Sequence, residues 1–525
     1  MVIKEQLKQG HVTRRQGIRL ALVSTTFLAM AGCSLSPEPM TEQEHLARAA
    51  SDRLSVDAGR IPFSGTMTLE IAVARSIAFN HDSELARLES TLTEKQLDLA
   101  LAGLLPQLSA EAGYSNRTSP AAARSISELT GRQSLEPSYS STPEVARSQI
   151  QLAANTTELG IAYFAARQQG WRALAAVERR RRAIDSIVRS TIDAYFRASA
   201  ASDLLPRLED SIRKADTALA RSRSAGEKAA YPPMQLLEFQ GTLIRIVGDL
   251  RRMRTELINA RTQLAALVNV EPSRLVGMIP PPRVFSARSL PEPRRMEDAA
   301  LLMRSELRGE AYQEKVERDE AWKEIIRMIP GVGMLAGGNF DSNSLLSHNL
   351  WGEIGIRATW NLMALIQGPR ALAVAKTSRE VAHQRRIALA AAVISQVNLA
   401  RQSLQLATES LESAEGVASV GAQMRRTASG GQQAGILSDA DRIRYDLSSM
   451  TASYERDKAL AGCYAALSSL WSATGIDIVP ASVQQSSMPE LQKAVDSSLA
   501  VYLDGGMPIP QIPVLNAAVA KSVEK

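Results

Sequence analysis

Few residues in this 525-residue sequence have types and spacings that could make or break bonds. The cysteines, Cys33 and Cys463, offer neither a disulfide framework nor a metal-ligand spacing. Five histidines (His11, His45, His81, His348 and His383) are scattered, with no Ser/His/Asp set and no glycine-rich phosphate loop behind a strand. What remains is a thiol, Cys33, directly behind an apolar run, and two glycine-centred breaks with charges nearby. The breaks are Gly226-Glu227-Lys228 and Gly430-Gly431-Gln432, the second followed by Asp439 and Asp441. Such residues offer a modifiable sulfur and turning points for the backbone. No enzyme and no cofactor are expected, and ATP or proton energy would have to come from a partner.

The thiol follows a leader. Lys4, Lys8, Arg14, Arg15 and Arg19 precede an apolar run from Leu20 to Met30, then Ala31-Gly32-Cys33. A basic start, an eleven-residue apolar run and small residues at the cut describe a signal peptide, too short to span a bilayer. Met30-Ala31-Gly32-Cys33 resembles a bacterial lipobox, with Met30 where Leu is usual. The resemblance implies a covalent lipid on Cys33, each buried CH₂ contributing about 0.8 kcal/mol to membrane anchoring. Ser34 resembles the outer-membrane sorting pattern.

The elements behind these residues are long rods. From Gly170 to Gly226 there is no internal glycine and one proline, Pro206, while Leu174, Val177, Ile184, Val188, Ile192 and Tyr195 keep coiled-coil-like spacing. One helix of that length is about 80 Å long and needs partners of the same length. A second rod runs from about Pro369 to Ser429, and its return helix carries Ile443, Leu447, Met450, Tyr454, Ala461, Tyr464 and Trp471 at steps of three, four and seven. Ser83-Glu84-Leu85 and Pro106 recur as Ser305-Glu306-Leu307 and Pro330, at offsets of 222 and 224. A helix–strand–strand–rod–hairpin order written twice marks an internal duplication.

The expected division is 1–32 signal peptide, 33–65 tether with a short helix, 66–278 first repeat, 279–295 Pro-rich spacer, 296–478 second repeat and 479–525 tail. Strands are expected at about 107–116 and 157–166, then 331–339 and 352–361, with helical hairpins at 170–267 and 369–475. Ten residues is the length of a tilted membrane strand. Four such strands cannot close a barrel, and an open edge has no water to bond in lipid, so several copies must share one. Three copies give twelve strands. Net charge of +6 from 61 basic and 55 acidic residues, with the basic ones dispersed, gives no footprint for nucleic acid.

The paired SEL…P…strand order, Gly160-Ile161 with Gly170, Glu178 to Arg182 and the glycine-centred hairpin ends resemble the TolC-like outer-membrane efflux protein family, over about residues 60–478. The fold class this implies is mainly α with a small β part: a homotrimer with a twelve-stranded barrel in the cell outer membrane and a long periplasmic α-helical barrel. The implied function is the exit duct of a tripartite efflux pump or type I secretion system, working with a periplasmic adaptor and an inner-membrane efflux or ABC transporter. The lipobox resembles the family's lipidated branch, which contacts outer-membrane lipid. The resemblance makes Gly226, Glu227, Lys228, Gly430, Gly431 and Gln432 adaptor-docking residues, and Asp439 and Asp441 candidates for a charged entrance. The glycines also read simply as helix ends and the aspartates as favouring a helix N-terminus.

Two other readings stand beside this one: a periplasmic adaptor, and a coiled-coil structural lipoprotein with no pore. Pro206 should kink the first rod or mark an underwound point. Glu178 to Arg182 reads as a solvated helix face, and Cys463 as a small core residue. Trp351, Trp360, Tyr114, Tyr163 and Phe164 suit aromatic girdles or packing between strands, and the tail after Pro480 a tether or equatorial packing segment.

Overall fold

The computed structural model describes residues 39–510, apart from 64, 120–121, 125, 135, 140, 228–232, 275–276, 280–284, 286–289, 434–436, 438 and 484–486. The expected signal peptide and Cys33 lie outside the described residues. Two units are distinct, one ending at Arg60 and one beginning at Ile61. In the first, α1 (Glu42–Gly59) opens with a capping box: the Glu44 N–H donates to Thr41 Oγ1, and the Thr41 N–H donates to the Glu44 carboxylate at 2.7 Å. None of its side chains is buried.

In the second unit, α2 (Leu69–Phe79) and α3 (His81–Ala102) meet at Asn80, whose Oδ1 accepts the Asp82 N–H at 2.8 Å. Leu104, Leu105 and Pro106 then end the helix, and β1 (Gln107–Asn116) follows. A loop holding the short strands β2 (Ala122–Ala123) and β3 (Ser138–Tyr139) leads to β4 (Glu144–Asn155). The first rod, α4 (Thr156–Glu227), has 72 residues, or about 108 Å, and its return helix is α5 (Pro233–Leu267). The second repeat runs α6 (Pro293–Met303), α7 (Ser305–Arg327), β5 (Gly331–Asp341), β6 (Leu350–Thr359), the rod α8 (Met363–Gln433) of 71 residues, and α9 (Asp439–Ala473). The tail forms α10 (Met488–Leu503), which packs on α2 through a face of Leu491, Val495, Leu499 and Tyr502, all buried.

Where the repeats meet, one core gathers both halves and the tail: Ile192, Tyr195 and Phe196 from α4, Val393 and Val397 from α8, Tyr464 and Trp471 from α9, Tyr502 from α10. Phe196 stacks on Tyr464 at 4.3 Å between centroids, and Trp471 meets Tyr502 edge-on at 5.6 Å. The Tyr195 hydroxyl donates to the Ile279 carbonyl at 2.6 Å and lies 3.0 Å from that of Met67, tying the rod to two crossing segments. Burial there pushes its phenol well above the ordinary range. Cys463 belongs to this core, its thiol raised to about 11 by burial. Lower down, a separate cluster joins Leu204 and Leu208 of α4 to Leu243, Leu250 and Leu257 of α5 and to Ile443 and Met450 of α9.

Three expectations need correction. Residues 157–166 are not a strand but the first turns of α4; the strand is β4, within what the composition marks as a Ser/Thr/Pro-rich loop. The Asn155 side chain accepts the Thr157 N–H at 2.9 Å and starts the helix, so the alternation of Leu159, Ile161 and Tyr163 is incidental. The rods therefore begin at Thr156 and Met363, not Gly170 and Pro369, with Gly160, Gly170 and Pro369 inside them. Gly160 serves close approach of α4 to α7, because a Cβ there would lie 3.2 Å from the Ile326 side chain. Glu178 to Arg182 is no simple solvated face: Glu178 is buried and Arg181 is bonded into the junction described below. At Pro206, α4 runs on unbroken, with Leu204 and Leu208 buried on either side.

Candidate functional site

The four long strands form one antiparallel sheet in the order β1-β4-β5-β6, so β1 and β6 each keep one unpaired edge and run in opposite directions. Register makes the sheet two-faced. On one side Ala110, Ile150, Gly338 and Gly352 line up, flanked by Leu108, Leu152, Ala336 and Ile354. On the other, Glu111, Gln149, Asn339 and Trp351 form one row and Ser109, Gln151, Gly337 and Glu353 the next. The apolar side is bare: Leu108 is 72% exposed, Ile354 86% and Ile356 74%. One face suits hydrocarbon and the other water, the pattern of a membrane strand. Arg147 of β4 and Asp341 of β5 join across the polar side at 2.9 Å.

Beneath the sheet, Asp319 of α7 is fully buried and holds α4 through Trp171 Nε1 at 2.9 Å and Arg167 Nε at 3.1 Å, while its other oxygen takes Arg318. Gln168 donates to the Val316 carbonyl and to Glu320, and accepts from Lys323. Trp322 stacks on Phe164 at 6.1 Å, and Tyr163 meets Phe164 edge-on at 5.2 Å. The Trp360 indole donates to the Met328 carbonyl at 3.1 Å.

At the junction of the repeats, charged groups line a polar cavity of about 350 Å³. Arg181 donates to Asp477, to the Gly475 carbonyl and to the Met303 carbonyl at 2.6, 2.8 and 2.9 Å, and Arg304 forks onto Glu306. Burial raises the carboxyls of Asp185 and Asp477 above the aspartate range. Burial acts the same way on Glu306, but the Arg304 hydrogen bonds outweigh it and take that carboxyl down to about 2.

At the hairpin ends, Gly226 and Glu227 close α4, while Lys228 lies outside the described residues. Gly430, Gly431 and Gln432 sit in the last turn of α8. Gly431 is packed: Leu437 folds back so that its N–H donates to the Gly431 carbonyl at 3.2 Å, and a Cβ on Gly431 would come within 2.9 Å of the Leu437 side chain. Asp439 opens α9, and Asp441 lies 3.6 Å from Arg444 in the first turn. Gly430 is exposed. The sequence points to these ends through their glycines; it misses Asp319 and the Arg181–Asp477 bond, whose partners are 148 and 296 positions apart. No local pattern marks such pairs. Among the described residues, no helix is long and apolar enough to cross a membrane and no group of side chains could hold a metal ion.

No family model and no curated relative matches the sequence. Solved structures do match in three dimensions. The chain is similar to the CmeC outer-membrane channel of Campylobacter jejuni at TM-score 0.61 and 12% identity, over 84% of this chain and 90% of that one. The open-state MtrE outer-membrane channel of Neisseria gonorrhoeae gives 0.58 at 17% identity, over 78% and 89%. The outer-membrane channel OprN gives 0.60 at 13% identity, also over 78% and 89%. The two-faced sheet set on duplicated rods thus has the fold of the TolC-like outer-membrane channels.

Proposed function

We propose that this chain is one subunit of a homotrimeric outer-membrane channel, a passive conduit that carries out no chemistry of its own. The observation that supports this most is the sheet. Its apolar face is bare, its other face polar, and its two free edges run antiparallel, so β6 of one copy can pair with β1 of the next until three copies close a twelve-stranded barrel. The rods then extend the wall into the periplasm. In this reading the hairpin ends dock a periplasmic adaptor, and an inner-membrane efflux or ABC transporter supplies energy, in a tripartite pump or a type I secretion system. A lipid on Cys33 adds a second hold on the membrane.

Purified protein in a planar bilayer tests the reading. A mass of three chains together with a stable aqueous conductance is expected; assembled trimers that never conduct would overturn it. Replacing Gly430 by Pro should abolish export while trimers persist, and normal export would remove the docking role. Cys33→Ser should lose incorporation of labelled palmitate, and undiminished label would remove the lipid.

A further inference from the structure

Conduction through the barrel makes no use of the polar cavity of about 350 Å³ at the junction of the repeats. Both halves of the chain build it. Arg182, Asp185, Ser186 and Arg189 follow one another on a single stripe of α4, with the two arginines two turns, or about 10 Å, apart. The second repeat supplies Arg304 between α6 and α7, Gln396 of α8 and Ser469 of α9. Three of the four guanidiniums in the cavity are answered by carboxylates. Arg181 bonds Asp477, Arg189 Nε donates to Asp185 at 3.1 Å, and Arg304 forks onto Glu306 while its third nitrogen donates to Gln396 Oε1 at 2.6 Å. Arg182 is the surplus charge. It meets only Glu306, at 3.3 Å through Nε, a carboxylate that Arg304 already neutralises, and its side chain is 66% exposed.

The hydrogen-bonding inventory is just as uneven. Among the described residues, the terminal nitrogens of Arg182 and Arg189, Gln396 Nε2 and the hydroxyls of Ser186 and Ser469 have no partner. Of the carboxylate oxygens lining the cavity, only Asp185 Oδ1 and Asp477 Oδ1 are open; Asp185 Oδ2 takes both Arg189 and the Ser472 hydroxyl, the latter at 2.7 Å. Open N–H donors beside a surplus positive charge suit an oxyanion. The open Asp185 oxygen between the two arginines adds a condition, because the anion must carry a proton to donate to it. Hydrogen phosphate keeps such a proton at neutral pH. Sulfate keeps none and would set lone pairs against lone pairs. Depth selects the source. Thr156 opens α4 directly under the sheet, so Arg182 lies about 40 Å lower, whereas a headgroup layer reaches only about 5–7 Å beyond the hydrocarbon.

We propose that the junction cavity is a binding site for one soluble hydrogen phosphate ion. Arg182, Arg189 and Gln396 donate to its oxygens, and its own O–H donates to Asp185 Oδ1. Because α4 belongs to the first repeat and α8 to the second, the bound ion bridges the two repeats and stabilises their junction by mass action.

The test titrates the full chain in detergent with sodium phosphate, and separately with sodium sulfate at matched ionic strength, reading the thermal midpoint and the heat of binding. A saturable rise in midpoint with one phosphate per chain is expected, and no such rise with sulfate. Arg182→Gln, at an exposed position, should weaken phosphate binding at least about ten-fold. Arg251→Gln, which removes a comparably exposed arginine from α5, should leave it unchanged. Asp185→Asn should let sulfate bind about as well as phosphate. Equal shifts by the two anions in the parent, no saturable heat, or an Arg182→Gln chain that binds like the parent would each overturn the site. The same titration in phosphatidylglycerol vesicles should give the same shift; a shift lost there would assign the cavity to a lipid headgroup and overturn the soluble ion.

Discussion

Arg181 in the first rod donates its Nε to Asp477, just beyond the second return helix, at 2.6 Å across 296 positions of sequence. The same guanidinium caps the carbonyls of Met303 and Gly475, so one side chain gathers the ends of α6 and α9 onto α4. Its side chain is 12% exposed and that of Asp477 18%. Arg181→Met should therefore leave a half-desolvated carboxylate and two open carbonyls, at a cost of about 3–5 kcal/mol. Urea unfolding would report it, and Asp477→Asn added to Arg181→Met should recover part of the loss. A single variant as stable as the parent would remove the clamp.

Glu306 and its aspartate neighbours make opposite pH contributions. The Glu306 carboxyl is lowered from 4.5 to about 2 in the folded chain, so its stabilisation is present above 4.5 and is lost as pH falls toward 2. Asp185 and Asp477 are raised by burial, so the folded state holds their protons more tightly than the unfolded one, and they oppose stability as pH rises through their raised values. Glu306→Gln should flatten the loss of stability between pH 4.5 and 2, and Asp185→Asn should flatten the decline just above the ordinary aspartate range. Unfolding curves across pH that match the parent in both variants would refute this.

Asp319 should be the most sensitive residue beneath the sheet. Asp319→Ala strips partners from Trp171, Arg167 and Arg318 at a fully buried point. Because the two arginines are about a third exposed, the cost is discounted to about 2–4 kcal/mol, against about 1 kcal/mol for Trp171→Phe, which removes one hydrogen bond. Equal destabilisation by both variants would mean that the network does not centre on the carboxylate.

The rods, the duplication and three of the four long strands are legible in the sequence because glycine, proline and period-two alternation mark them locally. β4 is not. Its apolar side is diluted by Ala146, Ser148 and Ala154, while helical residues just after it mimic alternation with Leu159, Ile161 and Tyr163. The packing role of the tail is equally hidden, since Leu491, Val495, Leu499 and Tyr502 find their core only in the fold. Glycines mark the hairpin ends openly, but the fold-back of Leu437 onto Gly431 is a tertiary detail.

That tail yields a fourth prediction. Tyr502 is fully buried against Tyr464 and Trp471. Tyr502→Ala should cost about 3–5 kcal/mol and Tyr502→Phe about 1 kcal/mol, as lower thermal midpoints of the assembled protein. A chain cut before Met488 that kept the parent midpoint would show α10 to be dispensable.

Neighbouring residues on β6 separate the channel reading from a water-soluble one most sharply. Glu353 and Ile354 point to opposite sides of the sheet, one in the polar row with Gln151 and the other, 86% exposed, in the apolar row with Ala336. If the apolar side meets lipid, Ile354→Lys places a charge in hydrocarbon at about 2–4 kcal/mol per chain near mid-depth, three times over in a trimer. It should then fail to accumulate in the outer membrane. Glu353→Lys adds the same group to the lumen side, where water remains, and should insert normally while shifting ion selectivity toward anions. In a water-soluble coiled-coil lipoprotein the order reverses: a lysine in place of an exposed isoleucine is harmless or improves solubility. Membrane fractionation of the two variants thus reads the orientation of the sheet directly, and equal insertion of both would reject the barrel.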